Sequence, residues 1–155
     1  MEYDVTKILP QQPPMQFITA IESADFDNET LVARVDVRDT DLLFQKNING
    51  VATTAALEYM AQAIACYIGT EEIHKTGVTK AAAGFVLGSR DLHICAPVFN
   101  INESYYINVK SVFCDSNMAA FECNIFDSKN NLMASATLNA FRPDDITTFM
   151  GVNNE

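Results

Sequence analysis

The sequence predicts an α+β fold in which an antiparallel sheet encloses one long apolar helix. The stretch GVATTAALEYMAQAIACYIG, from Gly50 to Gly69, is apolar on almost every side. A helix without a wide polar face has to be covered on most sides. Strand-like segments separated by turn residues precede and follow this stretch. One sheet and one such helix satisfy both observations when the sheet curls around the helix.

Two strands are predicted before the helix. A proline-rich segment runs from Lys7 to Pro14. The first strand is predicted after it, over Phe17 to Asp25. The segment from Thr30 to Val37 alternates apolar and polar residues, which is typical of a half-buried strand. Asp27 to Glu29 supplies the turn between them. A loop from Arg38 to Asn49 then leads into the helix.

The helix is predicted over about 51–69, with Gly69 as its C-terminal cap. Four strand-like segments follow, and the last two are expected to form a hairpin. They are Ala81–Ile94, Tyr105–Cys114, Met118–Phe126 and Leu132–Phe141. Two strands, one apolar helix and a run of antiparallel strands are the elements of the hotdog fold. We therefore expect a single hotdog domain spanning 1–155.

Composition and charge exclude several classes of function. The chain has 155 residues, is 48% hydrophobic and carries a formal net charge of −10. This acidity disfavours binding to nucleic acid and to anionic membranes. Glu58 and Gln62 lie in the middle of the long apolar stretch and would be costly in lipid, which argues against a membrane span. The N-terminus lacks a basic region followed by an apolar core, so we expect a cytoplasmic protein without a secretory signal.

The cysteines and histidines give no pattern typical of a metal site. Cys66, Cys95, Cys114 and Cys123 contain no CxxC spacing, and the chain has two histidines. We expect buried free thiols in a reducing compartment, no metal and no cofactor.

Glu58 is the least expected residue of the helix. Thr54, Glu58 and Gln62 recur at i, i+4 and i+8, so they share one helix face. Small residues flank this face and leave room for a ligand. One interpretation is that Glu58 faces a binding site. The other is that it pairs with a basic residue such as Arg90, or caps a loop backbone.

Three segments resemble a known family. LPQQPPM, from Leu9 to Met15, followed by FITAI, resembles the LPH-containing opening of the bacterial 3-hydroxyacyl-acyl-carrier-protein dehydratases. EYMAQAIA in the helix and GFVLGSRDLHI, from Gly84 to Ile94, resemble the dehydratase-like hotdog proteins of aryl polyene biosynthesis clusters. The similarity in order and spacing covers most of the chain, from Ile8 to Arg142.

This resemblance implies a site shared by two subunits. In such dehydratases a His and an acid from the helix face one acyl thioester across a dimer interface, and backbone N–H groups polarise its carbonyl. Glu58 would be the helix acid. Thr54 and Gln62, which share its helix face, are candidates for substrate contact. Phe17 and Phe85 are candidates for the wall of the substrate tunnel, with ordinary core packing as the alternative. The implied partners are an acyl carrier protein or coenzyme A thioester, and either a second copy or a paralogous dehydratase.

The chain departs from the family pattern at the His. Position 11 of the motif holds Gln11, which has no titratable nitrogen and cannot act as a general base. It can still form a hydrogen bond to a thioester oxygen. His74 follows the predicted helix in a loop, and His93 lies on a predicted strand. The sequence places neither histidine beside Glu58.

Three functions remain open. The first is a dehydratase with Glu58 as principal catalyst and Gln11 as an orienting group. The second is a non-catalytic hotdog subunit that binds acyl thioesters or completes a heterodimer with a His-containing dehydratase. The third is a thioesterase in which the acid acts with water. Docking of an acidic carrier protein would need a basic patch, for which the candidates are Lys46, Lys75, Lys80 and Arg90.

Overall fold

A six-stranded antiparallel sheet and a 21-residue helix make up most of the described structure. This computed structural model describes residues 2–79, 85–115 and 117–141, apart from the side chains of Phe85 and Leu87. The helices are α1 (Val5–Ile8) and α2 (Ala56–Thr76). The strands are β1 (Ala20–Asp25), β2 (Thr30–Asp36), β3 (Phe44–Gln45), β4 (Gly50–Ala52), β5 (Phe85–Ile94), β6 (Val98–Asn100), β7 (Ser104–Asp115), β8 (Met118–Asp127) and β9 (Leu132–Phe141).

The large sheet has the order β1-β2-β7-β8-β9-β5, and all its neighbouring strands are antiparallel. Helix α2 packs on the inner face of this sheet, mainly against β2, β7 and β8. In β2, Leu31, Ala33 and Val35 are buried and alternate with half-buried residues, so one face of the strand meets the helix. This arrangement confirms the predicted sheet around one long helix.

Aromatic side chains fill the core at the start of α2. Tyr59 is buried in the helix and packs against Phe17 on one side, with ring centroids 6.0 Å apart, and against Phe99 on the other, at 5.0 Å. Phe99 in turn meets Tyr105 of β7 edge-on. Burial raises the pKa of the Tyr59 phenol, so this hydroxyl stays neutral throughout the physiological range. The aromatic row joins the N-terminal segment, the helix and the sheet.

The predicted bounds of the helix, about 51–69, are wrong at both ends. Gly50–Ala52 forms β4 instead, because its backbone pairs with both β3 and β6. A 3₁₀ turn over Thr53–Ala55 then leads into α2. At the other end Gly69 is an interior, buried residue, and the helix continues to Thr76. Gly77 is the true C-terminal cap, with a left-handed φ of 76° and an N–H that donates to the Ile73 carbonyl at 2.8 Å.

The small sheet β3-β4-β6 was not predicted, because its strands are only two or three residues long. The strands of the large sheet agree well with the prediction. The first one, however, begins at Ala20 and not at Phe17. Residues 81–84 of the predicted segment Ala81–Ile94 lie outside the described residues.

Replacing Gly50 by Ala is predicted to destabilise the fold. A Cβ at Gly50 would lie 2.7 Å from Val98 Cγ1 and closer still to the Phe99 carbonyl oxygen. Because a backbone oxygen cannot move aside cheaply, we expect the free energy of unfolding to fall by about 1–3 kcal/mol. Gly88→Ala is the control, since no atom of the described residues beyond its chain neighbours lies within 4 Å of its added Cβ. Urea denaturation of both variants would contradict this account if they were equally stable.

The cysteines divide into two classes, which corrects the expectation that all are buried. Cys66 and Cys123 are buried, whereas Cys95 and Cys114 are exposed. Burial raises the pKa of both the Cys66 and the Cys123 thiol to about 12. The two buried thiols therefore remain protonated and unreactive near neutral pH.

Thiol labelling of the native protein at about pH 8 is predicted to modify Cys95 and Cys114 and to spare Cys66 and Cys123. Mass spectrometry of the labelled peptides identifies the sites. In denaturant all four should react, which is the control for reagent and access. Rapid native labelling of Cys66 or Cys123 would show that the core opens readily or is packed differently.

Candidate functional site

Glu58 lies in the first turn of α2, where the helix emerges from the small sheet. Its side chain is half-buried, and the positive end of the helix dipole favours a negative charge there. Its hydrogen-bond partner among the described residues is Gln62, whose amide nitrogen donates to Glu58 Oε2 at 2.9 Å. Arg90, the alternative partner suggested from the sequence, is an exposed residue of β5 and forms no described ion pair with Glu58.

Gln62 connects the helix to the N-terminal segment. Its side chain is fully buried, and its Oε1 accepts hydrogen bonds from the N–H groups of Phe17 at 2.8 Å and Ile18 at 3.4 Å. Its Nε2 donates to the Met15 carbonyl at 2.8 Å as well as to Glu58. The amide is thus saturated by the protein itself, a role that sequence reasoning missed. The available signal was a glutamine on the buried side of an apolar helix, where every polar atom needs a partner.

Thr54 and Phe17 occupy different surroundings from Glu58. Thr54 is exposed in the 3₁₀ turn before α2 and lines an open depression of about 290 Å³. The other lining residues are Leu43, Gln45, Val51, Ala52 and Ala55. Phe17 is buried against Tyr59 and belongs to the core. Phe85 begins β5, but its side chain lies outside the described residues.

Gln11 is half-buried in the turn region after α1. Its amide oxygen is buried and has no hydrogen-bond partner in the described structure. The described hydrogen bonds include none between Gln11 and Glu58, so one protomer does not join the two side chains directly. A buried acceptor without a donor costs about 1–3 kcal/mol. Gln11 Oε1 is enclosed by the protomer, so the side chain would have to move before a ligand or a second subunit could donate to it.

Neither histidine lies beside Glu58 on the helix. His74 belongs to the last turn of α2, not to a loop, and its ring stacks on Phe26 with centroids 4.6 Å apart. Sixteen residues of helix separate it from Glu58, which is about 24 Å along the axis. His93 is exposed on β5 and lines an outer depression of about 260 Å³ together with Asp91 and Glu122.

Of the proposed basic residues, Lys46 and Lys75 do not form one patch. Lys46 lies in the 3₁₀ turn after β3, near the start of α2, whereas Lys75 lies in its last turn and pairs with Glu71. Lys80 lies outside the described residues. The described residues contain no cluster of three His, Cys, Asp or Glu side chains suited to a metal ion, and no helix long and apolar enough to cross a membrane.

Among the described strands, β5 lies at one edge of the large sheet. Ile94 pairs with Ala134 and Val86 with Ala140, and both alanines are buried on the face that the helix covers. Val86 and Ile94 therefore point to the helix side, yet both are exposed because α2 packs on the strands nearer the centre. A long edge with uncovered apolar side chains is a surface suited to pairing with another chain.

Comparison with solved structures places this arrangement among hotdog proteins. The dehydratase heterocomplex ApeI:P from Xenorhabdus doucetiae matches with a TM-score of 0.82 and 20% identity, over 99% of this chain and 100% of that one. A hypothetical thioesterase with coenzyme A from Streptococcus pneumoniae matches with a TM-score of 0.59 and 12% identity, over 79% and 83%. The PaaI protein of E. coli matches with a TM-score of 0.58 and 11% identity, over 79% of this chain and 81% of that one.

No curated protein matches the chain. The family comparison is more specific, because the sequence pattern of the ApeP-like family, described as ApeP dehydratase, matches residues 3–151. Nearly the whole chain takes part in this match, including Gln11, Glu58 and strand β5. The antiparallel sheet, the long helix and this match agree with one another: the chain belongs to the ApeP-like dehydratase family and has the hotdog fold.

Proposed function

We propose that this chain is the acid-bearing subunit of a 3-hydroxyacyl thioester dehydratase, in which a paralogous hotdog subunit supplies the base. The observation that carries the proposal is the contrast between two positions. Glu58 is a half-buried carboxylate held by Gln62 in the mainly apolar first half of α2. Gln11 occupies the position of the family's His and cannot take up a proton near neutral pH.

The chemistry requires one base and one acid on opposite sides of the substrate. The base on the partner subunit removes a proton from the carbon next to the thioester carbonyl. The electron pair of that C–H bond forms the double bond to the next carbon, whose C–O bond breaks. Glu58 gives its proton to the departing hydroxyl, which leaves as water. The proton taken up by the base then returns to Glu58 and completes the cycle.

Gln11 would lie at the second site of this heterodimer, because the partner's base occupies the same position opposite Glu58. Its Oε1 lacks a donor in the described structure and is enclosed by the protomer. Once the side chain turns toward the site, the 3-hydroxyl of an acyl thioester can donate to Oε1 and hold the acyl group without any proton transfer. Gln11 is therefore proposed as an orienting residue of that second site.

The edge position of β5 supports the assembly. Pairing of two β5 strands would continue the sheet and cover Val86, Leu92 and Ile94, which are exposed in the protomer. A homodimer of this chain would contain two Gln11 residues and no His at either position. A heterodimer with a His-containing paralogue would contain one complete acid–base pair. The similarity to a dehydratase heterocomplex is in keeping with the second assembly.

The thioester is proposed to be carried by an acyl carrier protein, with coenzyme A as the second carrier. Since the chain has a net charge of −10 and Lys46 and Lys75 lie at opposite ends of α2, an acidic carrier protein is expected to dock on the partner subunit. We place the complex in the cytoplasm, where the exposed Cys95 and Cys114 stay reduced.

Hydration of a trans-2-enoyl thioester tests the proposal, with loss of the conjugated enoyl absorbance as the signal. The chain alone and an equimolar complex with a paralogue carrying an intact LPH motif are compared. We expect turnover by the complex, and Glu58→Gln in this chain should lower its kcat by about 10²–10⁴-fold. Glu122→Gln is the control, because it removes an exposed carboxylate of β8. Glu122 lines the same outer depression as His93, on the side of the sheet away from the helix. An inactive complex, or one unaffected by Glu58→Gln, would contradict the proposal.

The chain alone separates the remaining functions. Gln11→His should give it hydratase activity that Glu58→Gln removes, because a homodimer would then hold both groups. Glu58-dependent turnover by the unmodified chain alone would indicate a homodimeric dehydratase in which Gln11 orients the substrate. Release of a free thiol from the thioester would indicate a thioesterase instead.

A further inference from the structure

The hydrogen bonds of Gln62 determine how its amide is oriented. Two backbone N–H groups, those of Phe17 and Ile18, point at one atom of the amide. Because an N–H group can only donate, that atom has to be the oxygen. The NH₂ group must then face the Met15 carbonyl and Glu58 Oε2, at 2.8 and 2.9 Å. The direction of the Gln62–Glu58 bond is thus set by backbone groups and not by the acid.

This direction has a consequence for the carboxyl group. Glu58 Oε2 accepts a hydrogen bond from Gln62, while Oε1 has no hydrogen-bond partner in the described part of the chain. In a protonated carboxyl group the carbonyl oxygen is a stronger acceptor than the hydroxyl oxygen. Donation from Gln62 therefore favours the carbonyl at Oε2 and the hydroxyl at Oε1. When the proton leaves, Oε2 accepts the same hydrogen bond, so the side chain need not turn.

We infer that Gln62 is a positioning residue that keeps the transferable proton of Glu58 on Oε1. The inference deepens the proposed function and rests on it for its catalytic meaning. Gln62 is fully buried, so it acts through Glu58 and does not meet the substrate. Glu58 is half-buried, and the oxygen away from Gln62 is the one left to face an acyl thioester.

The Gln62 amide also has a structural role, and the test has to separate this role from the positioning of Glu58. Through Met15, Phe17 and Ile18, Gln62 fastens the N-terminal segment that contains Gln11 to helix α2. Loss of these bonds would leave buried backbone groups without partners and would lower stability. A fall in activity alone would therefore not distinguish a positioning role from a damaged fold.

Infrared spectroscopy locates the proton without any assay of turnover. At a pH low enough to protonate Glu58, the difference between the native protein and Glu58→Gln isolates the carbonyl stretch of this carboxyl group. We expect a frequency typical of a carbonyl that accepts a hydrogen bond, and a shift to higher frequency in Gln62→Met. A native band typical of a free carbonyl would overturn the inference, even if Gln62→Met failed to fold. An unshifted band in folded Gln62→Met would also overturn it.

Kinetics of the assembled dehydratase test the catalytic meaning. Gln62→Met should lower kcat by up to about 10²-fold with little change in KM, since a displaced acid affects the transition state more than binding. In a Glu58→Gln background the same substitution should have no further effect. Gln16→Met is the matched control, because Gln16 bonds the Ile18 carbonyl in the same segment and has no described contact with Glu58. Equal losses from Gln62→Met in both backgrounds would overturn the positioning role.

The two proposals fail in different ways. An inactive native complex contradicts the proposed function, while the infrared result still decides where the proton lies. An active complex with a free Glu58 carbonyl supports the dehydratase and removes the role given to Gln62.

Discussion

The lack of a polar face on α2 is the constraint on which the rest of the structure depends. Its buried residues cover most of the helix circumference and include large ones such as Tyr59, Met60, Ile64 and Tyr67. A narrow stripe of half-buried residues remains, which includes Glu58, Ala61 and Ala65. No flat sheet covers such a helix, so the strands have to curl around it while the N-terminal segment covers what remains. In β2 and β7 buried residues alternate with half-buried or exposed ones, because each strand turns one face to the helix.

The same constraint decides where polar chemistry can be placed. A polar atom on α2 is tolerated where protein groups saturate it or where the helix leaves the cover of the sheet. Gln62 meets the first condition through three backbone groups, and Glu58 meets the second in the first turn. The two residues are one helical turn apart and share a hydrogen bond. Gln62, which fastens the N-terminal segment, therefore also holds the carboxyl group of Glu58. Stability and function thus share one side chain at this position.

Much of the fold could be predicted from local patterns, because the apolar–polar alternation of a strand and the residues of a turn are contiguous in the sequence. Segments such as Leu132–Phe141 were predicted with the bounds that the structure has. The start of α2 could not be predicted, since Gly50–Ala52 is extended through pairing with Phe99 and its neighbours, far along the chain. Gly69 was mistaken for a cap because a buried glycine and a capping glycine look alike in sequence. For the site, the spacing of Glu58 and Gln62 indicated a shared face, but the groups that saturate Gln62 are backbone atoms and carry no sequence signal.

The register of β5 against β9 slips twice, between Val86 and Gly88 and again between Arg90 and His93. Asp91, inside the second slip, has a left-handed φ of 55° and places a carboxylate within the outermost strand. Such interruptions bend a strand and break the even spacing of its outward N–H and C=O groups. A regular strand from another protein can form only short runs of backbone hydrogen bonds with β5. A chain with matching interruptions can pair with β5 along its whole length. The edge can thus stay open for assembly and still resist indiscriminate growth into aggregates.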